Sequence, residues 1–382
     1  GILSYVEYRF GKKPAAFVGW MYMSMFYPLL TAVLFTVSGI YISHLIADFT
    51  NLTPTPLHYM LIGLVNLLIF FSLNILKPKA SGLFQQMTTV LKLIPLIFIS
   101  GIAIVSFVGG NIEETNTYSH SLQNIPENQS LLLLIAASFI PIAFAFDGWY
   151  IATQISGEIK NSKKNLPKAL VIGTITVLIV YLLYYSGIVF GMSSQEILTL
   201  KDTYITEFSR KIASDIGAFV IQLFIIISVL GTANGLLLAT IRVPYQFSNL
   251  EKAKQFLNLN VIQEKTKMPV NSAFLGLGLI IAYLLIYYIT NTSEFFASRN
   301  FDLSAVPIVF IYMVNGALFI GLLSLIKNKV FSGNSFFKYI MAIIAILGVL
   351  VVLIGTATAP NGITYILISL IFVLLGISVI KK

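Results

Sequence analysis

Long apolar stretches separated by short polar or proline-containing joints dominate this chain. A helix that crosses a bilayer needs about 20 mainly apolar residues, and ten stretches reach that length. The ten predicted spans are residues 15–47, 57–76, 83–109, 131–157, 168–192, 215–240, 271–290, 304–326, 337–355 and 362–380. The pattern therefore predicts an all-α polytopic membrane protein, in which residues 1–382 form a single transmembrane domain.

The composition supports a membrane protein and argues against disulfide and metal sites. Hydrophobic residues make up 57% of the chain and charged residues 10%, against about 25% charged residues in an ordinary soluble domain. The sequence contains no cysteine, so it can form neither a disulfide framework nor a thiolate metal site. The three histidines, His44, His58 and His120, are too scattered to form a paired metal-binding motif. We therefore predict no metal and no cofactor.

The chain has a net charge of +9, and its Lys and Arg residues lie mostly in the joints between the predicted spans. If the joints are numbered alternately, one side of the membrane receives 19 basic residues and the other receives 4, with Lys92 left inside a span. The four on the sparse side are Lys201, Arg210, Lys211 and Arg299. Because cytoplasmic loops carry the excess of Lys and Arg, we predict a multi-pass cell-membrane protein with its basic joints in the cytoplasm. This distribution also argues against a nucleic-acid partner.

The beginning of the sequence differs from the rest. Residues 1–9 are apolar but too short to span a bilayer, and Gly1 is not an initiator methionine. We interpret residues 1–9 as the end of a helix that starts before the sequence does.

Asp147 is one of two charged residues inside the predicted spans. A charge at membrane depth is costly unless it faces a cavity or a partner, so such residues are functional candidates. Pro141 removes a helical hydrogen bond and Gly148 weakens the helix, which predicts a break near residues 144–148. Unwound backbone at this depth must line a cavity or be buried in protein. The alternative is a plain proline kink with a hydrated Asp147.

Lys92 is the second charged residue, and it lies deep inside the span 83–109. An ammonium at that depth cannot easily reach the cytoplasmic surface. It could neutralise carbonyl groups or a carboxylate, or take the place of a bound metal cation. The alternative is a lysine that reaches a water-filled vestibule without a specific role.

Several neutral polar residues inside the spans are weaker candidates. They are Ser228, Thr232, Asn234 and Asn315. Each can donate and accept hydrogen bonds, so each could bind a substrate or an ion. The small residues around them suit ordinary helix–helix packing equally well, and the sequence leaves both interpretations open.

Residues 143–149 resemble a segment of a known protein family. Together with residues 158–161 and 164–169, this stretch resembles the sixth helix and the following loop of L-type amino acid transporters. Those transporters belong to the amino acid–polyamine–organocation superfamily, and the bacterial serine/threonine exchangers are the most similar group. Weaker matches in the expected order lie at Gly1–Gly11, residues 90–93 and Ser228–Arg242.

The resemblance implies the LeuT fold, in which two inverted five-helix repeats precede two further helices. Residues 1–9 would then be the end of helix 2, residues 15–109 would hold helices 3–5, residues 131–326 helices 6–10, and residues 337–380 helices 11–12. Helices 1 and 6 are broken around the substrate in this family. We find no counterpart of helix 1, whose Gly-Ser-Gly turn holds the substrate carboxylate.

The resemblance also implies roles for residues near the predicted break. Phe144 matches the aromatic gate over the substrate. The unwound stretch, whose carbonyl groups take the substrate ammonium, corresponds to Ala145, Phe146 and Asp147, followed by Gly148.

Two further matches lie outside the break. Lys92 matches a lysine that occupies the second sodium site of sodium-coupled relatives, with Ser228 or Thr232 as its expected partner. Asn315 matches an asparagine that lines the side-chain pocket of some members. Gly316 departs from the pattern, because several members have a bulky aromatic residue there. The resemblance therefore does not determine the volume of the pocket.

The function implied is secondary transport of amino acids, with neutral ones expected, by sodium-independent exchange or uniport with alternating access. The alternatives are a proton-coupled amino acid symporter and a truncated remnant that does not transport. A channel would need a ring of filter carbonyls or charges, and an intramembrane enzyme would need paired acid–base groups, so we predict no enzyme and no catalytic residue. The expected partners are the substrate and the lipid bilayer, and the lack of cysteine excludes a disulfide-linked subunit.

Overall fold

The computed structural model describes residues 2–50, 52–108, 131–149, 153, 159–200, 203–251, 253, 257–264, 268–299, 301–330, 335–359, 361–378 and 380. Regular structure in these ranges is helical, apart from an isolated antiparallel bridge between Ala253 and Ile380. Eight described helical segments, with Lys12–Ala47 and Pro78–Gly101 each counted as one, are long and apolar enough to cross a bilayer. The prediction of an all-α polytopic membrane protein is thereby confirmed.

The helices follow one another along the chain with short interruptions. In order they are α1 (Ile2–Phe10), α2 (Lys12–Met21), a π-helical turn (Tyr22–Phe26), α3 (Tyr27–Ala47), α4 (Pro56–Leu76), α5 (Pro78–Leu91), α6 (Leu93–Val108), α7 (Leu131–Ala145), α8 (Ser162–Gly191), α9 (Ser194–Leu200), α10 (Tyr204–Ser248), α11 (Val270–Thr292), α12 (Glu294–Ala297), α13 (Ala305–Lys327), α14 (Ser335–Thr358) and α15 (Gly362–Ile377).

Two predicted spans correspond to helices shorter than a bilayer requires. Helix α7 has 15 residues where residues 131–157 were expected to span, and α15 has 16 where residues 362–380 were expected. Residues 109, 150–152, 154–157 and 379 of the predicted spans lie outside the described residues. The count of ten spans and the LeuT-type arrangement therefore stay predictions.

The chain divides into two compact units, of which the first comprises Gly1–Leu30, Asn128–Ile159 and Ala239–Lys382. Helix α13 is central to this unit and packs against α1, α7, α14 and α15. Its first two turns, Ala305–Ile311, are buried on all sides. A helix that is apolar around its whole circumference suits burial among other helices, so α13 forms the core of this unit.

The second unit comprises Thr31–Glu127 and Lys160–Leu238. Helices α6 and α8 pack closely here. The approach is so close that a Cβ atom on Gly187 would lie 2.4 Å from the carbonyl oxygen of Ile99. Around this contact Ile99, Ile188 and Phe208 belong to one buried apolar cluster. Small residues that let backbones approach are typical of helix contacts in membranes.

A buried polar network joins α4, α5 and α10 within the second unit. Asn234 Oδ1 accepts a hydrogen bond from Asn74 Nδ2 at 2.8 Å, Asn234 Nδ2 donates to Ser81 Oγ at 3.1 Å, and Ser81 Oγ donates to Asn74 Oδ1 at 2.6 Å. These three side chains have no exposed surface. One turn away, Gly231 allows Thr88 to approach α10 so closely that a Cβ atom would lie 2.3 Å from its hydroxyl oxygen. The network therefore holds α10 against the turn between α4 and α5, which favours the packing interpretation of Asn234.

We expect Asn234→Leu to lower the thermal stability of the protein in detergent. The substitution leaves the buried amide of Asn74 without its acceptor and the buried hydroxyl of Ser81 without its donor, which costs about 1–3 kcal/mol. Thr89→Val is the matched control, since the Thr89 hydroxyl is exposed and donates within its own helix to the carbonyl of Gln85. Equal melting temperatures for Asn234→Leu and the wild type would show that the network does not stabilise this unit.

Ion pairs occupy one end of the second unit. Glu196, on α9, pairs with Lys211, and its carboxylate also accepts the backbone N–H of Ser193 at 2.9 Å. The hydrogen bond from Lys211, followed by the one from the Ser193 backbone, lowers the pKa of Glu196 below its usual value. Arg210 lies between Asp48 and Asp215 and also pairs with Glu207.

The lowered pKa of Glu196 predicts a pH-dependent contribution to stability. A carboxyl whose pKa is depressed by folding stabilises the native state above its unfolded pKa of about 4.3, and loses this contribution as the pH falls through the folded value. Glu196→Gln should therefore melt slightly lower than the wild type near neutral pH, with the gap closing under acidic conditions. Glu264→Gln is the control, because Glu264 is exposed and the described residues offer it no ion-pair partner. A gap that is constant across this pH range would contradict the assignment.

Candidate functional site

Helix α7 ends inside the stretch that the sequence predicts to be broken. Pro141 lies within α7, and the helix ends at Ala145. The last turn tightens, with the N–H of Asp147 donating to the carbonyl of Phe144 at 3.1 Å. Gly148 then takes a φ of 97°, a left-handed conformation that glycine adopts without strain at helix ends. The backbone of residues 146–148 is therefore turned out of the helix.

Phe144 packs beside this helix end. Its half-buried ring lies against an apolar cluster of Ala143, Ile308 and Val352, together with Tyr312. The ring thus contacts helices α7, α13 and α14. A ring in this position can pack or gate, so its gating role stays a prediction.

Asp147 is half-buried just beyond the end of α7. Its carboxylate is within electrostatic range of the hydroxyl groups of Tyr22 and Tyr312. Both tyrosines lie in the same compact unit as Asp147. The structure therefore places a carboxylate at the broken end of the helix, in the same unit as two tyrosines.

Tyr22 is a candidate that the sequence analysis missed. It opens the π-helical turn Tyr22–Phe26, and its ring makes edge-to-face contacts with Phe26 and Phe310, at centroid distances of 5.2 and 6.2 Å. Single π-helical turns inside α-helices occur frequently at functional sites. No feature of the hydrophobic pattern distinguishes a π turn from the surrounding α-helix, which is why the sequence did not indicate it.

Asn315 faces a cavity of about 520 Å³ between α1 and α13. The side chain is 8% exposed, and no hydrogen bond joins its amide to another described residue. The walls are mainly aliphatic and aromatic, with Ile2, Tyr5, Trp149, Leu318 and Leu322 among them. A pocket of this size and character is typical of small-molecule sites.

Gly316 shows why the departure from the family pattern occurs. A Cβ atom at this position would lie 3.0 Å from a methyl group of Val349 on α14. A larger side chain here would require the Val349 side chain to move. The packing of α13 on α14 therefore favours a small residue at position 316.

Lys92 lies in the second unit, at an interruption between α5 and α6. Its backbone N–H donates to the carbonyl of Thr88 at 3.0 Å, and its side chain is half-buried. Thr232 is exposed and donates to the carbonyl of Ser228 at 3.0 Å. Within the described part of the chain, no hydrogen bond links the Lys92 ammonium to Ser228 or Thr232, so that pairing stays a prediction.

Comparisons with known proteins agree on one kind of relative. A family model described as amino acid permease matches residues 1–380. The serine/threonine exchanger SteT of Bacillus subtilis is 24% identical over 75% of this chain and 61% of its own length. The b(0,+)-type amino acid transporter 1 of Mus musculus is 25% identical over 64% of this chain and 48% of its own, and the human Asc-type amino acid transporter 1 is 24% identical over 76% and 55%. The chain thus spans about half to three-fifths of the length of these relatives.

Proposed function

The chain belongs to the amino acid permease family, and on that premise we propose that it moves amino acids across a membrane. The family match over residues 1–380 is the observation that carries this proposal. The names of the relatives, an exchanger of serine and threonine and several amino acid transporters, support the same class of substrate. The eight apolar helices provide the membrane-spanning part.

The ammonium group of the substrate is proposed to bind at the end of α7. The last carbonyl groups of a helix have no partner within it and carry partial negative charge. Helix α7 ends at Ala145, and the backbone of Phe146 and Asp147 continues as a turn. Carbonyl oxygens freed in this way attract a cation, and the half-buried carboxylate of Asp147 adds to that attraction.

A neutral substrate side chain is favoured by the cavity beside Asn315. A buried charge is tolerated only with a partner that compensates for its desolvation. The described lining of this cavity contains no carboxylate, and the Nε of Arg9 is already bonded to the carbonyl of Gly321 at 3.0 Å. An uncharged side chain would enter this cavity at the least cost, with the amide of Asn315 available for a polar group.

Sodium-independent exchange or uniport is the proposed mode of transport. The fixed ammonium of Lys92 would replace a bound cation beside Ser228 and Thr232, and substrate binding alone would shift the equilibrium between outward-open and inward-open states. A proton-coupled symporter is the second candidate, because Asp147 provides a carboxyl group next to the proposed substrate site. The proposed location is the cell membrane, with the 19 basic residues of the joints on the cytoplasmic side.

Exchange in proteoliposomes tests the proposed function directly. The protein produced from its natural gene should show saturable exchange of external labelled serine for internal serine, within about twofold of the same rate when choline replaces sodium, since no sodium ion would be part of the site. Saturable exchange abolished by choline would reject sodium independence. The absence of saturable uptake and exchange for every standard amino acid, with the protein folded, would reject amino acid transport.

Phe144→Ala should slow exchange much more than it weakens substrate binding. A gate acts on the transition between states, so its loss should reduce the exchange rate about tenfold while the affinity changes by less than about threefold. Exchange and ligand-induced thermal shift are measured on the same preparation. Phe337→Ala is the control, because Phe337 on α14 is 61% exposed and should change neither quantity. Equal losses of binding and exchange would mean that Phe144 only contacts the substrate.

A further inference from the structure

A second cavity, of about 240 Å³, lies between α1, the π-helical turn and the end of α10, within the first compact unit. Several of its described lining residues carry a hydroxyl or an amide group, and they are Ser4, Tyr22, Tyr27 and Gln246. The other described walls are aliphatic and are formed by Ile2, Leu3, Val243 and Leu250. This polar recess therefore differs in character from the mainly apolar cavity beside Asn315.

Tyr22 contributes a hydroxyl without a partner to the lining of the polar recess. The residue is 2% exposed, and its hydroxyl has no hydrogen-bond partner among the described residues. Its ring is already held by edge-to-face contacts with Phe26 and Phe310, which a phenylalanine would make equally well. Buried hydroxyl groups in folded proteins are almost always bonded, either to the protein or to ordered water. The Tyr22 hydroxyl therefore needs a partner that the described side chains do not supply.

Tyr283, on α11, provides a contrast at the same π-helical turn. Its hydroxyl donates to the carbonyl of Ser24 at 2.8 Å, and the bond is buried. Tyr283 is not part of the described lining of the polar recess. The hydroxyl away from the recess thus has a partner in the protein, while the one at the recess has none. This contrast locates the missing partner of Tyr22 in the recess.

The charge and the size of the polar recess identify this partner as water. The described lining includes no charged side chain, and a buried ion without a compensating partner is disfavoured. A cavity of about 240 Å³ admits several water molecules, since each occupies about 30 Å³ in the liquid. A buried water needs about two to four polar partners, which Ser4, Tyr22 and Gln246 can supply. Ser4 and Gln246 are exposed, so they lie at the edge where water would enter.

Leu250 forms a wall of the polar recess that α2 holds in place. A Cβ atom on Gly19 would lie 2.9 Å from Leu250 Cδ1, so the leucine packs directly on α2. The next residue, Glu251, forms an ion pair with Lys12 at the beginning of α2. Shortening the Leu250 side chain should therefore widen the recess without removing any of its polar groups.

We propose that the polar recess is a water-binding site, in which ordered water joins the Tyr22 hydroxyl to Ser4 and Gln246, and that Leu250 limits the access of solvent to it. The water supplies a buried hydroxyl with the partner that the hydrocarbon core of a bilayer does not offer. It explains why a hydroxyl is kept on a ring that could pack without it. The inference goes beyond the proposed function, because it does not depend on the solute that the protein carries.

Cysteine labelling distinguishes a hydrated recess from a dry one. Methanethiosulfonates react with the thiolate, and a thiol in apolar surroundings stays protonated. Val243→Cys places a thiol in the wall of the recess, and Ile241→Cys places one on the same helix but outside the described lining. Both positions are buried, at 7% and 0% exposure, and the sequence contains no cysteine of its own.

The two cysteine variants are made in the protein produced from its natural gene. Methyl methanethiosulfonate should modify Val243→Cys at least about tenfold faster than Ile241→Cys, because only the first thiol can ionise in contact with water. The rate is measured by mass spectrometry of the labelled peptide. Adding Leu250→Ala should accelerate the labelling of Val243→Cys about threefold or more. The same addition should leave Ile241→Cys unchanged, which controls for a general loosening of the fold.

An experimental structure of the whole protein that resolves water provides a direct check. It should show a water molecule within about 3.2 Å of the Tyr22 hydroxyl oxygen. Equal labelling of the two cysteine variants, no effect of Leu250→Ala on Val243→Cys, or a recess that is empty or filled by protein would each overturn the proposal. Amino acid exchange enters none of these measurements, so their failure would leave the proposed function intact.

Discussion

The hydrocarbon core of the bilayer offers no water to a polar group, so every such group at that depth needs a partner within the protein. This constraint explains why the described chain is helical, since a helix satisfies its own backbone. It also limits where the helices can be interrupted. The three interruptions that matter here are the π turn at Tyr22–Phe26, the break at Lys92 and the end of α7 at Ala145. At each of them the structure must supply another partner or use the free group.

The buried polar side chains form two groups, those with hydrogen-bond partners in the protein and those without. Asn74, Ser81 and Asn234 are hydrogen-bonded to one another, and they join three helices. Tyr283 satisfies a carbonyl of the π turn. These groups stabilise the fold and offer nothing further to a ligand. Tyr22 and Asn315 are different, because the buried Tyr22 hydroxyl finds no hydrogen bond among the described residues and Asn315 faces a cavity. A polar group retained at that cost is a better candidate for function than a satisfied one.

Hydrophobic pattern was sufficient to predict the helices and the class of protein, because length and apolarity are what the bilayer selects. The break after Phe144 was also predictable, since Pro141 and Gly148 act through their own backbone chemistry. Hydrogen-bond partners that are distant in sequence could not be predicted. Asn234 was recognised as polar, but Asn74 and Ser81 were not singled out, because only the folded chain brings α4, α5 and α10 together. The π turn could not be predicted for another reason, because it changes the register of a helix without changing its composition.

The end of α7 shows how one local feature can serve both stability and transport. Gly148 takes a left-handed conformation that ends the helix at little cost, and ending the helix there leaves its last carbonyl groups without partners in the helix. The same ending places Asp147 on a turn just beyond the helix. A continuous helix would hold that carboxylate rigidly and would bind no ammonium with its backbone. Under the proposed function, the break would provide both the binding groups and the mobility, which transport requires because the substrate must be held and then released.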